Sequence, residues 1–178
     1  LPNVTLSLMV KSGSTSDPKG QEGLTMLMGE LLTRGTTNKK ALEFADSIAH
    51  IGASLDVATS VDNLTVTASG LSSQGSELLG LFVETILQPA FSPDEISRLK
   101  KQTTAAIERK VDEPGSFTGI AWDGFIYKGH SYARPGSGTL KSVRMISRKQ
   151  IFQQYLKVVR PNNSYLAVVG RFTPEFVQ

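Results

Sequence analysis

No cysteine occurs anywhere in the sequence. Disulfide bridges and thiolate metal sites are therefore excluded, while the redox compartment stays open. Histidine is almost as scarce, with only His50 and His130. No serine sits in a G-x-S-x-G elbow, and two histidines without that elbow do not make a serine triad. Long apolar runs are also missing. Nothing reaches the ~18 residues that a membrane-spanning helix needs, and no signal-peptide pattern is visible. Nor does one sign of charge dominate. The 19 Lys and Arg are scattered among 16 Asp and Glu, for a formal net charge of +3. That scatter excludes the basic stripe of a nucleic-acid binder. The densest basic stretch, Arg98-Leu99-Lys100-Lys101, lies in a helical pattern with Asp94, Glu95 and Glu108 and reads as a solvated helix face.

What is present is a core. Hydrophobic residues make up 39% of 178 residues, enough for one globular domain. The chain opens on LPNVTLSLMV, which already alternates as a strand over Val4 to Lys11. The expectation is a fragment of a longer protein, with a leader missing. Ser12 to Gly20 is a loop rich in Ser, Gly and Pro. A first helix is predicted from about Gln21 to Thr33, with Leu24, Leu27, Met28, Leu31 and Leu32 at helical spacing and Gly35 beyond its end. A second follows from about Lys40 to Ile51, striped by Phe44, Ile48 and Ile51.

SLDVATS and NLTVTASGL then alternate as an antiparallel hairpin around Val61-Asp62. A third helix, Gly75 to Leu87, carries Leu78, Leu79, Phe82, Val83 and Ile86 and stops at Pro89. Ser92 and Pro93 open a fourth that runs to about Val111. Pro114-Gly115 breaks it, and Ser116 caps a short helix to about Tyr127. KGHSYARPGSGTL is read as an irregular loop; its GSGT lacks the lysine of a phosphate loop. Ser147 and Gln150 form a capping box for a helix ending near Val158. SYLAVVG is the last strand. The order strand, helices, hairpin, helices, strand fits an α+β fold with an antiparallel-type sheet covered by helices.

One stretch raises a chemical question. GLTMLMGELLTRGT, residues 23–36, is a well-bounded helix whose inward face is read as carrying Met26, Gly29 and Glu30. A zinc hydrolase built on such a helix uses H-x-x-E-H. The two histidines lie one turn apart on one face, the glutamate is the general base, and a third ligand comes from another helix. Packing accounts for Met26 and Met28 better than a metal or redox role does. Gly29 costs about 1 kcal/mol in mid-helix relative to Ala, and close helix packing is its leading explanation.

VKSGSTSDPKGQEGLTMLMGELLTRGT resembles the opening of the pitrilysin/insulinase family of zinc peptidases, which includes the mitochondrial processing peptidase subunits. The family frame is a strand, GS, then P, G and GL, the inverted H-x-x-E-H, and GT. IGASLDVATSVDNLTVTASGL, PAFSPDEISRLKKQTTAAIERKVDEP and the segment YKGHSYARPGSGTLKSVRMISRKQIFQQYLKVVRPNNSYLAVVG resemble later family segments, so the likeness spans Val4 to Gly170. It implies the first domain of a two-domain family half, with residues 1–178 as one domain and a second homologous domain to follow.

It also implies that the ligand positions are degenerate. The first histidine falls on Met26, the base on Gly29, the second histidine on Glu30 and the distal ligand on Ala106. Glu108, two positions away, points to a different helix face. His50 and His130 match family positions outside the metal centre and read as surface or loop-packing residues. His130 and Tyr132 are the candidates for a peptide groove.

The function implied is a non-catalytic subunit that pairs with an H-x-x-E-H-bearing homologue and helps enclose a peptide or unfolded segment. No catalytic residue, metal or cofactor is expected in this chain, with zinc only in the partner. The alternatives are a scaffold subunit with no proteolytic role and an active zinc protease with relocated ligands. The resemblance further implies an oligomer in a bacterial cell envelope, with the mitochondrion as the alternative location.

Overall fold

Alternating apolar and hydroxyl residues make β1, Asn3–Val10, a two-faced strand. The computed structural model describes residues 2–112 and 114–172. After β1 come α1 (Leu24–Leu32), α2 (Ala41–His50), β2 (Ser54–Thr59), β3 (Leu64–Leu71) and α3 (Gly75–Leu87). There follow α4 (Pro93–Asp112), α5 (Pro114–Ile126), α6 (Leu140–Met145), α7 (Arg148–Val158) and β4 (Ser164–Gly170). The four strands form one antiparallel sheet in the order β2-β3-β1-β4, as an α+β domain requires.

The register explains the two faces. Leu6 pairs with Ala68, Leu8 with Val66 and Val10 with Leu64, and β2 adds Leu55 and Val57 to the same face. This apolar face meets α1, α3 and α7 in one core that includes Leu27, Met28, Leu31, Leu78, Phe82 and Ile151. On the opposite face, hydroxyls pair across the strands, Thr5 with Ser69 at 3.0 Å. On α3 the buried stripe runs through Leu78, Leu81, Phe82 and Ile86, while Val83 is exposed. Among the described residues, β2 and β4 are the sheet's edges.

Three local expectations need correction. α1 starts at Leu24 rather than near Gln21, because Gly23 sits at φ 90° and breaks the preceding turn. α5 starts at Pro114, not after it. Proline is well suited to a first helical turn, where its missing N–H has no intrahelical partner. A further short helix, α6, follows the segment read as loop, capped by Thr139, whose side chain accepts from the Ser142 amide at 3.1 Å. The expected approach to a second domain falls on residues 173–178, outside the described residues.

Candidate functional site

The start of α1 is held from far along the chain. Asp17 is buried, and its carboxylate accepts from the Gly23 amide at 2.8 Å, the Thr25 amide at 2.9 Å and the Thr25 hydroxyl at 2.6 Å. The carboxylate thus satisfies amides that a helix start leaves without partners. Burial pushes this carboxyl above its ordinary value, against the pull of those hydrogen bonds. Gln154 of α7 donates to the hydroxyls of Thr25 and Ser16, at 2.9 and 3.0 Å. Arg134 donates to the backbone oxygens of Asp17 and Thr15, at 2.7 and 3.1 Å.

The GSG segment closes against the same point. A Cβ on Gly23 would lie 2.9 Å from the Ser137 carbonyl oxygen, so backbone meets backbone. The other end of α1 is tied by the Arg-Gly-Thr turn. Thr36 donates to the buried Glu84 at 2.5 Å, and Lys39 reaches the same carboxylate at 2.9 Å. Burial alone would raise the Glu84 carboxyl, but Thr36 and Lys39 outweigh it and hold the group below its ordinary value. Sequence reasoning missed Asp17, Gln154, Arg134 and Glu84.

Between these anchors, the middle of α1 has two faces. Met26 and Glu30, four residues apart, are half-buried and line a cavity of about 380 Å³ together with Ala106 of α4. The structure therefore gathers three of the four singled-out positions. Gly29 is not among them: it is buried and faces the sheet, where a Cβ would lie 2.6 Å from Leu64 Cδ1 and 2.9 Å from Thr59 Oγ1. Close packing is the reason for this glycine.

Arg109 and Lys110 line the Met26–Glu30 cavity. Met26, Lys110 and Ser137 also line an adjoining cavity of about 390 Å³, bordered by Thr59 and Ser60 at the end of β2 and by Tyr132. Tyr132 thus reaches the cleft. Its hydroxyl donates to Asp62 at 2.6 Å, which keeps the phenol protonated above its ordinary value. His130 stands behind it: exposed, accepting from the Tyr132 amide at 3.2 Å and edge-on to its ring at 4.7 Å. His50 closes α2 and is exposed.

The side chains at the α1–α4 junction do not fit zinc. Met26 offers a thioether and Glu30 one carboxylate, while Gly29 and Ala106 offer no side-chain donor. Zinc takes three or four thiolate, imidazole or carboxylate ligands. Among the described residues, no group of three or more His, Asp or Glu is placed to hold a metal ion. Two cations on the same cavity wall would further repel a divalent metal.

The fold and this junction together define an α+β domain of metallopeptidase architecture whose helix pair presents, among the described residues, no metal-binding set. The chain belongs to the insulinase family, peptidase family M16, whose model matches residues 2–120. It is 25% identical over 170 residues to the non-peptidase homolog YmxG of Helicobacter pylori, covering 96% of this chain and 39% of that one. It is 21% identical over 173 residues to an uncharacterized zinc protease of Rickettsia bellii, covering 97% and 42%. A crystal structure of an inactive peptidase M16 domain from Pseudomonas fluorescens superposes with a TM-score of 0.95 at 25% identity, over 99% of this chain and 43% of that one. The chain spans about two fifths of the length of the curated relatives it matches.

Proposed function

We propose that this chain is a non-catalytic member of the M16 family that pairs with an H-x-x-E-H-bearing homologue and helps enclose an extended peptide. The reading rests on one observation. Met26, Glu30 and Ala106 gather around one cavity, yet supply only a thioether and a carboxylate. The names borne by two relatives, a non-peptidase homolog and an inactive domain, support it. So does the edge of β2, which carries no partner strand among the described residues, borders the cleft at its end and offers backbone groups for strand addition. In this reading Met26, Gly29, Glu30 and Ala106 occupy the family's ligand positions, zinc belongs to the partner, and Tyr132, backed by His130, lines the groove. The location implied by the resemblance is the bacterial cell envelope.

The test is cleavage of a quenched fluorescent peptide mixture by the full-length protein alone, by its H-x-x-E-H relative from the same genome alone, and by the two mixed. Activity that appears or rises only on mixing supports the subunit reading. Chelator-sensitive activity of this protein alone would overturn it. Stable association with no change in cleavage would favour a scaffold.

A further inference from the structure

We infer that the cleft selects anionic peptide segments, with Lys110 and Arg109 as the residues that receive the negative charge. The inference rests on the peptide-binding reading and names the chemistry of its ligand. Lys110 lies four residues beyond Ala106 on α4, one helical turn or about 6 Å along the axis. Both residues line the Met26–Glu30 cavity, so the lysine shares the wall that holds the family's distal ligand position. Lys110 also lines the adjoining cavity, at the junction of the two.

The balance of charge there is opposite to that of a metal site. Among the described residues, Glu30 is the one carboxylate lining the first cavity, against Arg109 and Lys110. Among the described residues, the charged side chains lining the adjoining cavity are Asp123, Lys110 and Arg134, and the Arg134 guanidinium is engaged by the backbone oxygens of Thr15 and Asp17. Among the described residues, Arg109 and Lys110 form no ion pair or side-chain hydrogen bond. Both are exposed and available. Apolar surface from Met26, Val61, Ile120 and Pro135 completes the walls. A groove with apolar walls and two cations that are unpaired among the described residues fits an extended segment carrying Asp, Glu or a terminal carboxylate.

The experiment measures binding of three twelve-residue peptides to the full-length protein by calorimetry. They share one apolar frame and carry three Glu, three Gln or three Lys. The acidic peptide is expected to bind at least fivefold more tightly than the neutral one, and the basic peptide least tightly. The preference should shrink as salt rises from 50 to 500 mM, because exposed charges are screened. Lys110→Glu combined with Arg109→Glu should reverse the order, and Lys110→Met should weaken only the acidic peptide. Lys157→Glu on α7, which lines neither cavity, should leave the order intact; thermal melts establish that each variant folds. Equal binding of all three peptides, a basic preference, or an equal effect of Lys157→Glu would overturn the anionic selectivity and leave the peptide-binding reading standing. No binding of any peptide, alone or with the zinc-bearing relative, would overturn both.

Discussion

The two faces of α1 obey different rules. The face toward the sheet and α7 is packed and fully partnered. Leu24, Leu27, Met28, Leu31 and Leu32 are buried, Thr25 is bound by Asp17 and Gln154, and Gly29 leaves no room for a methyl group beside Leu64. The face toward α4 holds Met26 and Glu30 half-exposed beside a cavity, and no side-chain hydrogen bond or ion pair engages Glu30 among the described residues. One nine-residue helix is thus packed on one side and borders a cavity on the other, where Met26 still touches the core. That separation means that side chains at positions 26 and 30 can change without moving the helix.

The sharpest test is to rebuild the ligand set. Met26→His and Glu30→His replace cleft-facing side chains and should each change stability by less than about 1 kcal/mol. Gly29→Glu lies on the packed face. Its Cβ would press on Leu64 and Thr59, and its carboxylate would be buried beside the sheet. Overpacking and an unpaired buried charge together should cost about 3–5 kcal/mol. Chemical denaturation of the single variants separates the three. Equal effects at positions 26, 29 and 30 would break the comparison. The corollary is that the helix does not accept the H-x-x-E-H set without repacking β2 and β3.

Removing the anchor comes next in size. Asp17→Ala leaves the buried Gly23 and Thr25 amides without their acceptor, at an expected cost of about 2–4 kcal/mol. A melt of this variant within about 0.5 kcal/mol of the parent would mean that the loop does not set the helix.

The two buried carboxylates at the ends of α1 should also respond to pH in opposite senses. Glu84 is held below its ordinary value by Thr36 and Lys39, so it binds protons less readily folded than unfolded. Its contribution to stability is present above the ordinary carboxylate range and is lost as pH falls through the folded value. Asp17 is raised by burial, so its contribution is present at acid pH and declines as pH rises through its folded value. Glu84→Gln should therefore flatten the acid limb of a stability profile between pH 3 and 6, at a cost of about 1–2 kcal/mol near neutrality. An Asp17→Asn profile that steepens or flattens in the same direction would contradict the assignment.

How much of this was legible depended on how local the signal was. α3, α7 and β4 appear where periodicity, Pro89 and the Ser147–Gln150 box put them, because each signal lies within the element it bounds. α6 escaped, since six residues carry too little period and its box uses Ser142 instead of an acidic or amide residue. The Asp17 clamp escaped for another reason. Its members are Thr25, eight residues on, and through Thr25 the distant Gln154, so no window contains them. The convergence of Met26, Glu30 and Ala106 is equally non-local, and only the family likeness brought the three together. Lys110 and Arg109 drew no notice in the sequence, because two adjacent cations on a helix look like any solvated face.

The smallest expected effect tests the free face most directly. Glu30 faces the cavity without a side-chain hydrogen bond or ion pair among the described residues, so Glu30→Gln removes a charge that the fold does not use. Thermal stability should change by no more than about 0.5 kcal/mol. The anionic peptide should bind the variant more tightly, since the one carboxylate that opposes Arg109 and Lys110 among the described lining residues is gone. A loss of 2 kcal/mol or more would show that the cleft face carries part of the fold. The two faces of α1 would then not be separable, and the identities of Met26 and Glu30 would need a structural explanation in place of a functional one.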